Sequence, residues 1–113
     1  MIKFMSNLFL SFFTVLFLNF QTVLAADIDL NAGLEIFQAN CVACHANGEN
    51  LVVSTKTLKL GALEDNEMNS IGAITDQVTY GKNSMPAFGG RLSEVDVQNV
   101  ANYVLNQATN DSW

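Results

Sequence analysis

Cys41-Val42-Ala43-Cys44-His45 gathers the chain's two cysteines and its one histidine into five consecutive residues. Two thiols three residues apart on one helical turn can add to two vinyl groups along one haem edge, and the adjoining imidazole then sits below the iron. C-x-x-C-H is the attachment signature of c-type haem. The same residue types serve other chemistries. A disulfide is open to an exported protein, although a ring this small stabilises little on the loop-entropy model. A thioredoxin-like redox pair needs a βαβ setting, and no strand alternation stands out. Structural zinc usually takes four Cys or His ligands, and this chain offers three.

A haem iron that carries electrons is usually six-coordinate, and a thioether as second axial ligand favours the ferrous state. Met68 lies in the polar run Glu67-Met68-Asn69-Ser70, which gives no reason to point it inward. Met85 lies in Gly81-Lys82-Asn83-Ser84-Met85-Pro86-Ala87-Phe88-Gly89-Gly90, which contains the one proline of the chain. That proline forces Met85 toward an extended backbone, and the flanking glycines let the chain turn close to a flat cofactor. Met85 is therefore the expected sixth ligand, against the alternative of a methionine that fills a gap in the core.

The elements that must hold these groups begin after residue 25. Lys3 is the one cation before Lys56, and six of the eight Phe lie in the first 25 residues. An apolar run from Leu8 to Leu18 is followed by Thr22-Val23-Leu24-Ala25, which suits a signal peptidase. A leader over residues 1–25 and a mature domain over 26–113 are expected. The alternative, a membrane anchor, would need an apolar run of about 20 residues, roughly twice what is present.

Removing Lys3 leaves four Lys and Arg against eleven Asp and Glu. Such a surface repels nucleic acid and acidic lipid, and steers partners that bear Lys or Arg. A domain this small is short of core and calls for a staple or a cofactor. Asp29 can cap a first helix toward Cys41, with Leu30, Leu34 and Phe37 on one face. Two weaker helices fit near Thr57–Leu63 and Ser70–Tyr80, with Gly81 ending the latter. The last helix opens with Ser93 and Asp96 as a capping box. It carries Val97, Val100, Ala101, Val104, Leu105 and Ala108 as one apolar stripe. Ala46–Ser54 has no helical period and reads as a loop around the haem.

Taken together, Asn40–His45, Gln77-Val78-Thr79 with Met85–Ser93, and Val97–Val104 resemble the cytochrome c6 family, over nearly all of residues 26–113. The resemblance implies an all-α class I cytochrome c fold: about four short helices wrapped around one covalently bound haem c. It implies thioether bonds at Cys41 and Cys44, axial ligands at His45 and Met85, and a haem-tuning role for Gln77. Gly33 and Phe37 would cross the last helix near Tyr103, and Arg91 would take part in electron exchange. The chain departs from the common pattern at Tyr80, at Ser84 and over Glu64–Ser70.

As a function, the resemblance implies a non-enzymatic shuttle, monomeric and forming transient complexes, not embedded in a membrane after cleavage. Its donor would be the cytochrome f subunit of the cytochrome b6f complex and its acceptor photosystem I, in the thylakoid lumen of a plastid or a cyanobacterium. The acidic residues Glu64, Asp65, Glu67 and Asp76 are candidates for the docking face. A respiratory carrier feeding a terminal oxidase is the nearest alternative. A haem enzyme or gas sensor would need an open iron position and a distal acid-base group, and the single His is already committed. A non-haem metal module comes last.

Overall fold

The computed structural model describes residues 27–113, so the expected leader lies outside the described residues. Five α-helices follow one another: α1 (Leu30–Asn40), α2 (Val42–His45), α3 (Leu60–Asp65), α4 (Ile71–Tyr80) and α5 (Glu94–Thr109), with a 3-10 turn at Ala46–Gly48. The all-α architecture agrees with expectation. The additional helix is α2, where the first helix breaks at Cys41 and resumes for one turn.

Each longer helix starts on a side-chain oxygen that satisfies an otherwise orphaned N–H. Asp29 accepts from the Ala32 N–H at 3.0 Å, and Ser70 accepts from Ala73 at 3.1 Å. At α5 the capping box is reciprocal: Ser93 Oγ accepts from the Asp96 N–H and Asp96 Oδ2 from the Ser93 N–H, each at 3.1 Å. Gly81 ends α4 at φ 70°, a conformation costly for any side chain. The expected helix at Thr57–Leu63 is displaced to Leu60–Asp65. Thr57 Oγ1 accepts from the Lys59 N–H at 3.3 Å and holds the preceding residues in a turn.

α5 is the central element, packed on α1 and α4. Its stripe is buried as expected at Val97, Val100, Ala101, Val104 and Ala108. At the α1–α5 crossing a Cβ on Gly33 would stand 2.3 Å from the Asn99 carbonyl oxygen and 2.7 Å from Tyr103 Cβ. The helices thus touch backbone to backbone. Buried Asn99 seals the crossing by accepting the Asp29 N–H at 3.0 Å. Leu30 departs from the expected apolar face of α1, being 40% exposed, while Gly33 and Phe37 are buried. The crossing is centred on Gly33 and Phe37, with Leu34 only partly buried.

Phe37, Ile74, Val78, Phe88, Val97, Val100, Ala101 and Val104 form the core. Val100 is the largest fully buried side chain among the described residues. Burying a side chain of this size stabilises by about 1.5–3 kcal/mol. Ten buried apolar side chains among the described residues leave a domain of this size only a small margin over the conformational entropy of the chain. Among the described residues no helix is long and apolar enough to cross a membrane.

Candidate cofactor site

α2 is one helical turn, and it brings the cluster together. The Cys44 and His45 N–H groups donate to the Cys41 carbonyl at 3.2 and 2.9 Å, which sets both cysteines and the imidazole on a single turn. The two cysteines form no disulfide. Cys44 is exposed, while burial pushes the Cys41 thiol up to about 11. His45 Nδ1 lies 2.9 Å from the Glu49 carbonyl oxygen. A carbonyl only accepts, so Nδ1 carries the proton and Nε2 keeps its lone pair for a metal.

Met85 is held by a different device. Lys82 and Met85 exchange both backbone hydrogen bonds at 3.0 Å, closing a tight turn in which Asn83 takes φ 54°. Gly81 admits this turn: a Cβ there would lie 2.6 Å from the Met85 carbonyl oxygen and 2.8 Å from the Ala87 nitrogen. The Phe88 and Gly89 N–H groups then donate to the Val78 and Thr79 carbonyls at 2.9 and 3.1 Å, tying the loop back to α4. From α4, Gln77 Nε2 donates to Met85 Sδ at 3.4 Å.

Cys41, Cys44, His45, Gln77 and Met85 all line one cavity of about 410 Å³, together with the apolar side chains of Phe37, Leu58, Leu63, Val78, Val100 and Val104. The volume lies within the range of cofactor pockets, roughly 300–1,000 Å³. A hydrophobic macrocycle bound through two thiols, one imidazole and one thioether fits this lining, in which apolar walls meet those four donors. The other readings of the cysteine cluster fit less well. The described residues contain no strand for a βαβ unit, the pairing of Lys82 with Met85 being an isolated bridge. Nor do they contain a group of three or more His, Cys, Asp or Glu placed to hold a metal ion by themselves.

Three features depart from expectation or were not anticipated. Met68 is partly buried against the core and lines the cavity, contrary to its polar surroundings in the sequence. The cause is Glu67 at φ 57°, which reverses the chain so that the Met68 N–H reaches the Leu63 carbonyl at 2.7 Å. Arg91 stacks its guanidinium 4.5 Å from the centroid of the Phe88 ring. Trp113 packs on Phe37, with ring centroids 5.3 Å apart, and its indole N–H donates to the Leu58 carbonyl at 3.0 Å. A lone Trp gives no periodicity by which its contacts could be read from the sequence. The acidic residues Glu64, Asp65, Glu67 and Asp76 are all exposed.

Comparison with known proteins agrees with this geometry. A family model described as "Cytochrome C oxidase, cbb3-type, subunit III" matches residues 29–104. Cytochrome c6 of Gracilaria tenuistipitata var. liui is 65% identical over 82 residues, covering 73% of this chain and 76% of the relative. Cytochrome c6 of Porphyra purpurea is 52% identical over 106 residues, 94% of each chain. The crystal structure of cytochrome c6 from the diatom Phaeodactylum tricornutum superposes with a TM-score of 0.71 at 50% identity. That match covers 73% of this chain and 97% of the diatom protein. One covalently bound haem c is the cofactor of such proteins. A class I cytochrome fold, the cysteine–histidine turn and these relatives converge on one assignment: the chain belongs to the cytochrome c6 family.

Proposed function

We propose that this protein is a monohaem electron carrier that accepts electrons from the cytochrome f subunit of the cytochrome b6f complex and delivers them to photosystem I in a thylakoid lumen. Cys41 and Cys44 hold the haem as thioethers, and His45 and Met85 ligate the iron. The leader over residues 1–25 is removed after Ala25. The haem site is supported by the cavity that Cys41, Cys44, His45, Gln77 and Met85 line together, and the partners by the likeness to cytochrome c6.

The bound haem supplies a one-electron couple that needs no substrate pocket. The chain's part is to keep the ligand set unchanged in both oxidation states. The Glu49 carbonyl holds the imidazole tautomer, the two mutual bonds of the Lys82–Met85 turn hold the thioether, and the Gln77 amide tunes it. A small, wet interface that releases quickly suits such an exchange. With four cationic against eleven acidic side chains after Lys3, the on-rate depends on long-range attraction to a basic partner. The exposed Glu64, Asp65, Glu67 and Asp76 supply the acidic face.

The alternative is a respiratory carrier. It draws on the family model that matches residues 29–104, whose description is an oxidase subunit. Flash oxidation separates the two. Purified holoprotein mixed with photosystem I membranes is oxidised rapidly after a flash, in a rate that falls as salt rises, and terminal-oxidase membranes oxidise it slowly. Rapid oxidation by the oxidase membranes alone would refute the photosynthetic assignment.

A further inference from the structure

The tail that follows α5 is folded back onto the loop that begins at His45. Asp111 takes φ 49°. Ser112 is tied to Gln107 twice, its N–H donating to the Gln107 carbonyl at 2.9 Å and its own carbonyl accepting from Gln107 Nε2 at 2.8 Å. This turn delivers the Trp113 ring onto buried Gly48, where any Cβ would lie 2.5 Å from the indole. The same indole donates through Nε1 to the Leu58 carbonyl. Gly48 and Leu58 are themselves joined, the Leu58 N–H donating to the Gly48 carbonyl at 2.7 Å. Trp113 therefore clamps both ends of the loop between them.

What hangs from that loop is the acceptor for the imidazole. Glu49 directly follows Gly48, its carbonyl takes the His45 Nδ1 proton, and its carboxylate pairs with Lys59 at 2.9 Å. The salt bridge is exposed and contributes little to fixing the loop. Within the loop the Glu49 N–H donates to the Ala46 carbonyl at 3.1 Å and the Leu51 N–H to the Cys44 carbonyl at 2.9 Å; the buried Gly48–indole contact and the 3.0 Å indole bond add the tie from the C-terminal tail.

We propose that Trp113 is a positioning residue for the axial imidazole: by clamping the Gly48–Leu58 loop it fixes the Glu49 carbonyl against His45 Nδ1, and so sets the electron density that the imidazole gives to the iron. This rests on His45 being an axial ligand. A hydrogen bond from the far nitrogen raises the basicity of a ligating imidazole. A loosened clamp therefore weakens the ligand's support of the ferric state and raises the reduction potential.

The test uses the holoprotein in its oxidised form, with the His45 Nδ1 proton followed by paramagnetic NMR hydrogen exchange. In Trp113→Ala this proton exchanges about tenfold faster or more, because the loop opens locally without global unfolding, and the potential rises. Amides of α4 keep their wild-type exchange. Trp113→Phe keeps the ring on Gly48 and loses only the bond to Leu58, so it gives a smaller acceleration of about threefold. Leu105→Ala, which perturbs α5 away from the cavity, serves as the destabilised control and accelerates the most protected amides together.

Unchanged His45 exchange in Trp113→Ala, or an acceleration shared equally by the α4 amides, overturns the proposal. Should Trp113→Ala fail to accumulate, Trp113→Phe decides by the same criterion. If the wild-type protein shows no iron-shifted imidazole N–H, the ligand assignment of His45 fails first and the proposal with it. A normal imidazole signal indifferent to Trp113 refutes the positioning role alone.

Discussion

Gln77→Leu removes one donor from the thioether and nearly nothing else. Gln77 sits half-buried on α4, and Leu has nearly the same volume and comparable helix propensity. What is lost is the Nε2–H bond to Met85 Sδ at 3.4 Å. Ferric iron draws harder than ferrous iron on the sulfur lone pair, so a hydrogen bond competing for that pair opposes the ferric state. The positive end of the amide dipole, aimed at the same sulfur, acts in the same direction. Removing it stabilises the ferric form and lowers the potential. A typical hydrogen bond contributes about 0.5–1.5 kcal/mol. For a one-electron couple, where about 59 mV is tenfold, that full amount corresponds to roughly 20–65 mV. Spectroelectrochemical titration of the wild type and Gln77→Leu measures the shift. The charge-transfer signature of thioether ligation confirms in the same cell that Met85 remains bound. A potential that rises, or moves by less than about 10 mV with Met85 still bound, refutes the reasoning.

Other expected outcomes follow from the same geometry. Gly33→Ala forces backbone apart at the α1–α5 crossing. Overpacking of about 3 kcal/mol or more exceeds the roughly 1 kcal/mol gained in helix propensity, and thermal unfolding of the holoprotein falls by about 10 °C. Gly72→Ala, where a Cβ meets nothing within 4 Å, is neutral or stabilising by up to about 1 kcal/mol in the same assay. Met85→Ala opens a coordination position, so added imidazole binds the variant at concentrations that leave the wild-type spectrum unchanged. Burial raises the Tyr103 phenol above its ordinary 10.0. The stability that its neutral form contributes is complete below pH 10 and lost as pH rises through the raised value. The wild type should therefore lose stability relative to Tyr103→Phe from pH 10 upward, with their difference in denaturant midpoint constant below it.

What could be read from the chain was what is encoded locally. The Ser93–Asp96 capping box and the stripe behind it are local, and α5 lies where they put it. Ser70 and Gly81 bound α4 in the same way. At the site, the cysteine–histidine turn was legible because covalent attachment demands fixed spacing, and the place of Met85 on the cavity wall because Pro86 and the flanking glycines constrain its backbone. Illegible were the features made by chain reversal at non-glycine residues of positive φ. Glu67 swings Met68 inward and Asp111 brings Trp113 onto Gly48, and neither residue type announces such a turn. The displacement of α3 has a similar origin, in a threonine whose hydroxyl competes with the backbone for the Lys59 N–H.

The thin core has a consequence for the life of the protein in its compartment. Bound haem adds its own stabilisation to a core of ten buried apolar side chains among the described residues, so a chain that lacks it opens more often. Each opening exposes segments that proteases cleave. On the proposed attachment at Cys41 and Cys44, molecules that carry haem outlast those that do not. The steady amount of carrier would then follow the supply of haem.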